Sequence, residues 1–178
     1  MKKVNIVALL SAFAAPPAIA ADTGFYIGVK FGSVNYDYAN VSNNSQAGYG
    51  LLGGYIVNDY FAAEAEFNHL GGFDTVDSII KGKSFGISGV GTLPLNPEFS
   101  LFGKLGITSS SLEDSPQPGY LGGVYTHTNT GLNIGFGGQF NVNETVGIRF
   151  GYDSYPVGDT TSSTSQAGML YIGGIFNF

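Results

Sequence analysis

Eight times along this chain apolar residues alternate with small or polar ones at a period of two, and nowhere after residue 20 is an apolar run long enough for a membrane-crossing helix of roughly 20 residues. Alternation of this kind belongs to strands with two unlike faces. The apolar phase runs through Phe25, Ile27, Val29 and Phe31; Tyr49, Leu51, Gly53, Tyr55 and Val57; Phe61, Ala63, Ala65 and Phe67; and Phe85, Ile87, Gly89, Gly91 and Leu93. It continues through Phe99, Leu101, Gly103, Leu105 and Ile107; Leu132, Ile134, Phe136, Phe140 and Val142; Val146, Ile148, Phe150 and Tyr152; and Leu170, Ile172, Phe176 and Phe178. The companion phase is full of Gly, Ser, Asn and Thr, too small to build a hydrophobic interior. A soluble sandwich or lipocalin-like barrel needs the reverse, bulky apolar residues inside and charges outside. In hydrocarbon every backbone donor and acceptor must be paired within the protein, so a chain that crosses a membrane on such strands has to close them into a barrel. The pattern therefore predicts an all-β fold, an eight-stranded antiparallel up-and-down transmembrane β-barrel.

The connections are expected to alternate in length. Asn58-Asp59, residues 94–98 and residues 141–144 read as tight turns facing the periplasm. Residues 37–46, 70–81, 109–127 and 153–166 read as longer polar loops facing outside, and mobile because they hold little apolar content.

The N-terminus reads as a leader: Lys2 and Lys3, an apolar stretch over residues 4–15, then Ala18-Ile19-Ala20 as a small-x-small cleavage signal. Residues 1–20 are expected to be a cleavable signal peptide, cut after Ala20 or Ala21, and residues 21–178 one outer-membrane barrel domain. Lys2 and Lys3 are two of the seven basic residues, so five bases meet thirteen acids beyond the leader, a formal net of −8. Nucleic acid as a partner is excluded by that balance. Cysteine is absent, which rules out disulfides and thiolate metal sites.

Five charges fall inside strands: Lys30, Glu64, Glu66, Lys104 and Arg149, all in the polar phase. On the lipid face a midplane charge costs about 2–4 kcal/mol for a base and less for an acid, so common parity assigns all five to the lumen. Counted from the expected strand starts they lie roughly 10–15 Å up a tilted strand, near the middle of an apolar band about 25 Å tall. They are expected to form one layer of buried ion pairs, with Gln139 and Tyr60 as hydrogen-bond partners. Glu64 and Glu66 stand at i and i+2 beside cations, with no reason to hold a proton for acid-base catalysis. No catalytic, cofactor or metal site is expected, and the chain reads as a non-enzyme. His69 and His127 are the only histidines, each near an expected outer loop, and neither is followed two positions on by Ser, as in the lipid A deacylase barrels.

These features together resemble the OmpA-like family of small eight-stranded outer-membrane barrels. The resemblance rests on Gly24-Phe25-Tyr26-Ile27-Gly28-Val29-Lys30, on Gly53-Gly54-Tyr55 leading through Asn58-Asp59-Tyr60-Phe61 to Glu64, and on residues 68–71. Lys104-Leu105-Gly106, Gly137-Gly138 and residues 149–152 extend it. It implies an internal ion-pair layer at Lys30, Glu64, Lys104 and Arg149. Val90 stands where some members carry a fourth-strand cation, and Gln139 where they carry a sixth-strand acid. The end, Tyr171-x-Gly173-x-x-Phe176-x-Phe178, resembles the signal that the barrel assembly machinery recognises, with Phe178 as its terminal aromatic. The family's peptidoglycan-binding domain has no counterpart in these residues, so cell-wall tethering is not carried over. The implied location is the bacterial outer membrane, reached through the periplasm, with outer-membrane lipid and lipopolysaccharide as surroundings. A structural or surface role leads, and the alternatives are a narrow ion pore opened by breaking the ion pairs, or an adhesin or surface antigen that meets a host or cell-surface ligand through its loops.

Overall fold

The computed structural model describes residues 24–36, 45–74, 78–116, 125–157 and 165–178. The expected leader and the central parts of the outer connections lie outside the described residues. Eight strands are present: β1 Gly24–Tyr36, β2 Ser45–Asn58, β3 Phe61–Asp74, β4 Ser78–Pro94, β5 Phe99–Pro116, β6 Tyr125–Asn141, β7 Val146–Val157 and β8 Ser165–Asn177. Each pairs antiparallel with its sequence neighbours, and β1 pairs with β8 from Tyr26↔Asn177 to Tyr36↔Ala167, which closes the barrel. Closure removes both sheet edges, as the alternation requires.

The three short turns share one device. Asn58 Oδ1 accepts from the N–H groups of Tyr60 and Phe61, Asn96 Oδ1 from those of Glu98 and Phe99, and Asn143 Oδ1 from those of Thr145 and Val146, all within 2.7–3.0 Å. A short amide side chain that caps the N–H groups two and three residues on helps to reverse the chain within a tight turn. These turns and both strand ends at Gly24 and Asn177 define one end of the barrel, called here the turn end.

At the opposite end the strands run further than the sequence suggests. Residues 70–74 and 78–81, expected as loop, are strand, as are the flanks of the connections in 109–127 and 153–166. Polar sequence pairs there through its own side chains: Ser111 and Thr128 hydroxyls bond at 3.0 Å, Thr130 and Ser109 at 3.1 Å, in a register running from Asp114↔Tyr125 to Phe99↔Phe140. Cross-strand hydroxyl pairs and β-branched Thr support a strand as well as apolar residues do. The inner face meanwhile stays apolar, with Leu70, Leu112 and Val157 buried. One irregularity breaks the β3–β4 ladder between His69 and Gly72, where Gly71 takes a φ of +78°. Only glycine enters that region without strain.

The two faces separate as the period-two reading predicts. Phe31, Leu51, Phe61, Ile87, Ile107 and Phe136 are each about 60% exposed on the outside, an apolar surface suited to hydrocarbon and not to water. Lys30, Glu64, Asn133 and Asp153 are buried inside.

Candidate functional site

All five expected charges point into the lumen and meet in one network. Lys30 comes from β1, Glu64 and Glu66 from β3, Lys104 from β5 and Arg149 from β7, each on the inward phase of its strand. Lys30 Nζ donates to Glu66 Oε2 at 2.8 Å, Asp153 Oδ2 at 2.7 Å and the Tyr155 hydroxyl at 2.8 Å, which uses all three ammonium protons. Lys104 Nζ lies 2.7 Å from the same Glu66 oxygen, 2.9 Å from Asp153 Oδ2 and 3.6 Å from Glu64 Oε1. Arg149 Nη1 reaches Glu64 Oε2 at 2.5 Å, and its Nε donates to Gln139 Oε1 at 3.1 Å. Tyr26 donates to Glu64 Oε2 at 2.8 Å, Tyr155 to Asp153 Oδ2 at 2.9 Å, and the Asn133 amide to Glu66 Oε1 at 3.4 Å.

Asp153 is the member that the sequence reading left out. It stands at the start of the outer loop expected over residues 153–166, but β7 continues through it to Val157. The signal was available: Asp153 shares the inward, odd-numbered phase of Arg149 and Gly151. With it the network holds three acids and three bases, so the buried formal charge is zero instead of +1. A balanced set lowers the cost of removing charges from water, because each carboxylate faces a cation.

One further expectation needs correction. Tyr60 is 57% exposed in the first turn and bonds no member of the network; Tyr26, one strand inward, supplies the phenol. Its ring lies over Gly54, where a Cβ would run into the ring atoms, so glycine on β2 is what lets Tyr26 lie against the wall. Aromatic faces complete the shell: Lys30 Nζ is 4.9 Å from the Tyr171 ring centroid and Arg149 Cζ 4.8 Å from that of Phe102, close enough for cation–π attraction. The position of the absent fourth-strand cation is filled by buried Val90, and Gln139 takes up Arg149 in place of an acid.

On the turn side of the charges a cavity of about 360 Å³ opens among Asn58, Asn96, Asn141 and Asn177, and ends at Tyr26 and Arg149. On the other side Val34, Leu70, Leu112, Val157 and Met169 are buried against one another in an apolar cluster. The lumen is thus open at the turn end, charged and tightly bonded in the middle, and apolar beyond.

The terminal pattern is divided between faces. Phe176 and Phe178 are exposed outward with ring centroids 5.0 Å apart. Tyr171 is buried in the lumen, and Gly173 faces Lys30 across the β1–β8 seam. The two histidines do not meet: His69 on β3 packs its ring 4.9 Å from that of Tyr49, while His127 is exposed on β6 with two strands between them.

The model of the outer membrane protein beta-barrel domain family matches residues 6–172. Among solved structures the fold is similar to that of Neisserial surface protein A, with a TM-score of 0.75 and 16% identity over 89% of this chain and all of that one. It is also similar to Ail, the attachment invasion locus protein of Yersinia pestis, crystallised in complex with the heparin analogue sucrose octasulfate, at 0.62 and 20% over 90% of this chain and 100% of that chain. OprG from Pseudomonas aeruginosa follows at 0.64 and 14%, over 89% and 98% of the two chains. No curated protein matches the sequence.

Proposed function

This chain belongs to the outer membrane protein beta-barrel domain family, and from that premise we propose that it serves the bacterial outer membrane as a non-catalytic, non-conducting surface barrel. The short asparagine-capped turns face the periplasm, and the connections at the opposite end face outside. Residues 1–20 are a removed leader, and Phe176 and Phe178 present the terminal aromatics to the barrel assembly machinery. The observation that carries the reading is the six-charge network: a closed set of ion pairs at 2.5–3.6 Å, backed by an apolar cluster, is a plug. An eight-stranded lumen has room for side chains and for little else.

A narrow pore would need these pairs to part. Breaking a buried pair costs about 3–5 kcal/mol, and ions would still have to pass the apolar cluster. An adhesin role rests on the outer connections. The sulfated ligand seen with Ail is not carried over, because residues 37–44, 75–77, 117–124 and 158–164 contain Asp37, Asp77 and Asp159 and no Lys or Arg. A partner there would be neutral or basic.

Orientation is tested by inserting one epitope tag at residues 117–124 and, separately, another beside Asn96. Antibody should label the first on intact cells and the second only after permeabilisation. Labelling in the reverse order would overturn the proposed topology. Cell binding that survives shortening of all four outer connections would remove the adhesin alternative.

A further inference from the structure

The basic residues beyond the leader divide by face. Lys30, Lys104 and Arg149 point into the lumen, whereas Lys81 and Lys83 are exposed on the outer face of β4, two residues apart. Among the described residues they are the outward-facing bases, and thirteen acids elsewhere in the sequence make their pairing on one strand notable.

Their height is informative. The outward phase of β4 runs Leu93, Gly91, Gly89, Ile87, Phe85, Lys83, Lys81. Ten positions separate Leu93 from Lys83, which at about 3.3 Å per residue and a tilt near 40° is roughly 25 Å, the full height of an apolar band. Lys83 therefore stands at the rim of the hydrocarbon, and Lys81 just beyond it. At the same tilt its nearest lateral neighbours, one strand away on each side, lie within about 3 Å of that level. Lys83 pairs across the ladders with His69 and Ser111, and the row continues to Tyr49 on β2 and Thr128 on β6. The adjacent row toward the turn end begins Leu51, Phe67, Phe85. Over β2–β4 a row of nitrogen and hydroxyl donors thus sits directly on an apolar row, whereas on β5 and β6 the adjacent row is Ser109 and Thr130. Glu113 faces Lys81 across β5, so it offsets one of the two charges and leaves Lys83 with no acid among its cross-strand partners.

We infer that this edge of β2–β6 is a binding site for the phosphate groups of lipopolysaccharide in the outer leaflet, with Lys83 and Lys81 as the principal charges and His69, Ser111 and Thr128 as hydrogen-bonding neighbours. The acyl chains of the same lipid lie along Phe67, Phe85 and Ile87. An ammonium at the membrane surface keeps its head in water while its stem covers apolar wall, so the site costs the barrel little. The inference rests on the proposed outward orientation of this end, and it is tested in symmetric vesicles so that a wrong orientation and a wrong site give different results.

The refolded protein is reconstituted in phosphatidylcholine vesicles containing either bisphosphorylated lipid A or its dephosphorylated form, extracted in mild detergent, and assayed for co-retained lipid by native mass spectrometry. Wild type should retain the bisphosphorylated form preferentially. Lys81→Gln/Lys83→Gln should weaken retention about twenty-fivefold, from a roughly fivefold loss per lysine, while keeping the unboiled gel mobility of a folded barrel. Equal retention of the two lipid A forms by wild type would overturn the inference without any variant, as would unchanged retention in the double variant. Displacement of the lipid by inorganic phosphate at equal concentration would also overturn it, since the site would then be one for a free ion.

Discussion

The middle of the lumen and its far end are closed by opposite chemistry. In the middle, six charges, two phenols and two amides bond one another; at the far end Val34, Leu70, Leu112, Val157 and Met169 simply pack. The apolar cluster gains from every methyl removed from water and tolerates exchange of one apolar group for another of like volume. The charged layer gains only when each partner is present, because a carboxylate left alone in a low-dielectric interior costs more than its pair contributed. The difference implies that the two regions respond unequally to truncation, and that the charged layer is the more brittle.

The sharpest way to break the comparison is Glu66→Ala, which takes one oxygen away from both Lys30 and Lys104. Its expected cost is about 4 kcal/mol, read as a lowered urea midpoint of the barrel refolded in lipid. Arg149→Ala comes next at about 3 kcal/mol, since Glu64 keeps the Tyr26 hydroxyl and a distant Lys104; an unchanged midpoint would show that the pairing carries no stability. In the apolar cluster, Leu70→Ala should cost about 2–3 kcal/mol by cavity formation, and a cost above that of Glu66→Ala would reverse the ranking of the two regions. Tyr26→Phe removes one hydroxyl from a still-paired carboxylate and should lower stability by about 1.5 kcal/mol. A loss as large as that of Arg149→Ala would move the weight of the network from ions to phenols.

The same contrast explains what was legible in the sequence. Which residues face in and which face out follows from parity alone, so every apolar stripe and all five expected charges lie on the side assigned to them. How far a strand persists does not follow from parity once both faces turn polar. Ser109, Ser111, Thr128 and Thr130 look like loop, yet they pair as strand because their hydroxyls bond across the ladder. That misreading hid Asp153, the apolar cluster around Leu70 and Val157, and the outward lysines of β4. Tyr60 is close to Glu64 in sequence, whereas partners in a barrel are set by register, which brings Tyr26 and Gly54 opposite each other and Gly54 opposite Glu64.

The most direct test of the plug is electrical. Purified, refolded barrel is added to a planar lipid bilayer and current is recorded at moderate voltage in 1 M salt, an ionic strength at which the Debye length is about 3 Å and long-range exclusion of ions is screened. The account predicts no discrete steps above the leakage of protein-free bilayer. Reproducible unitary steps from the wild-type protein would contradict it and make the charged layer a gate.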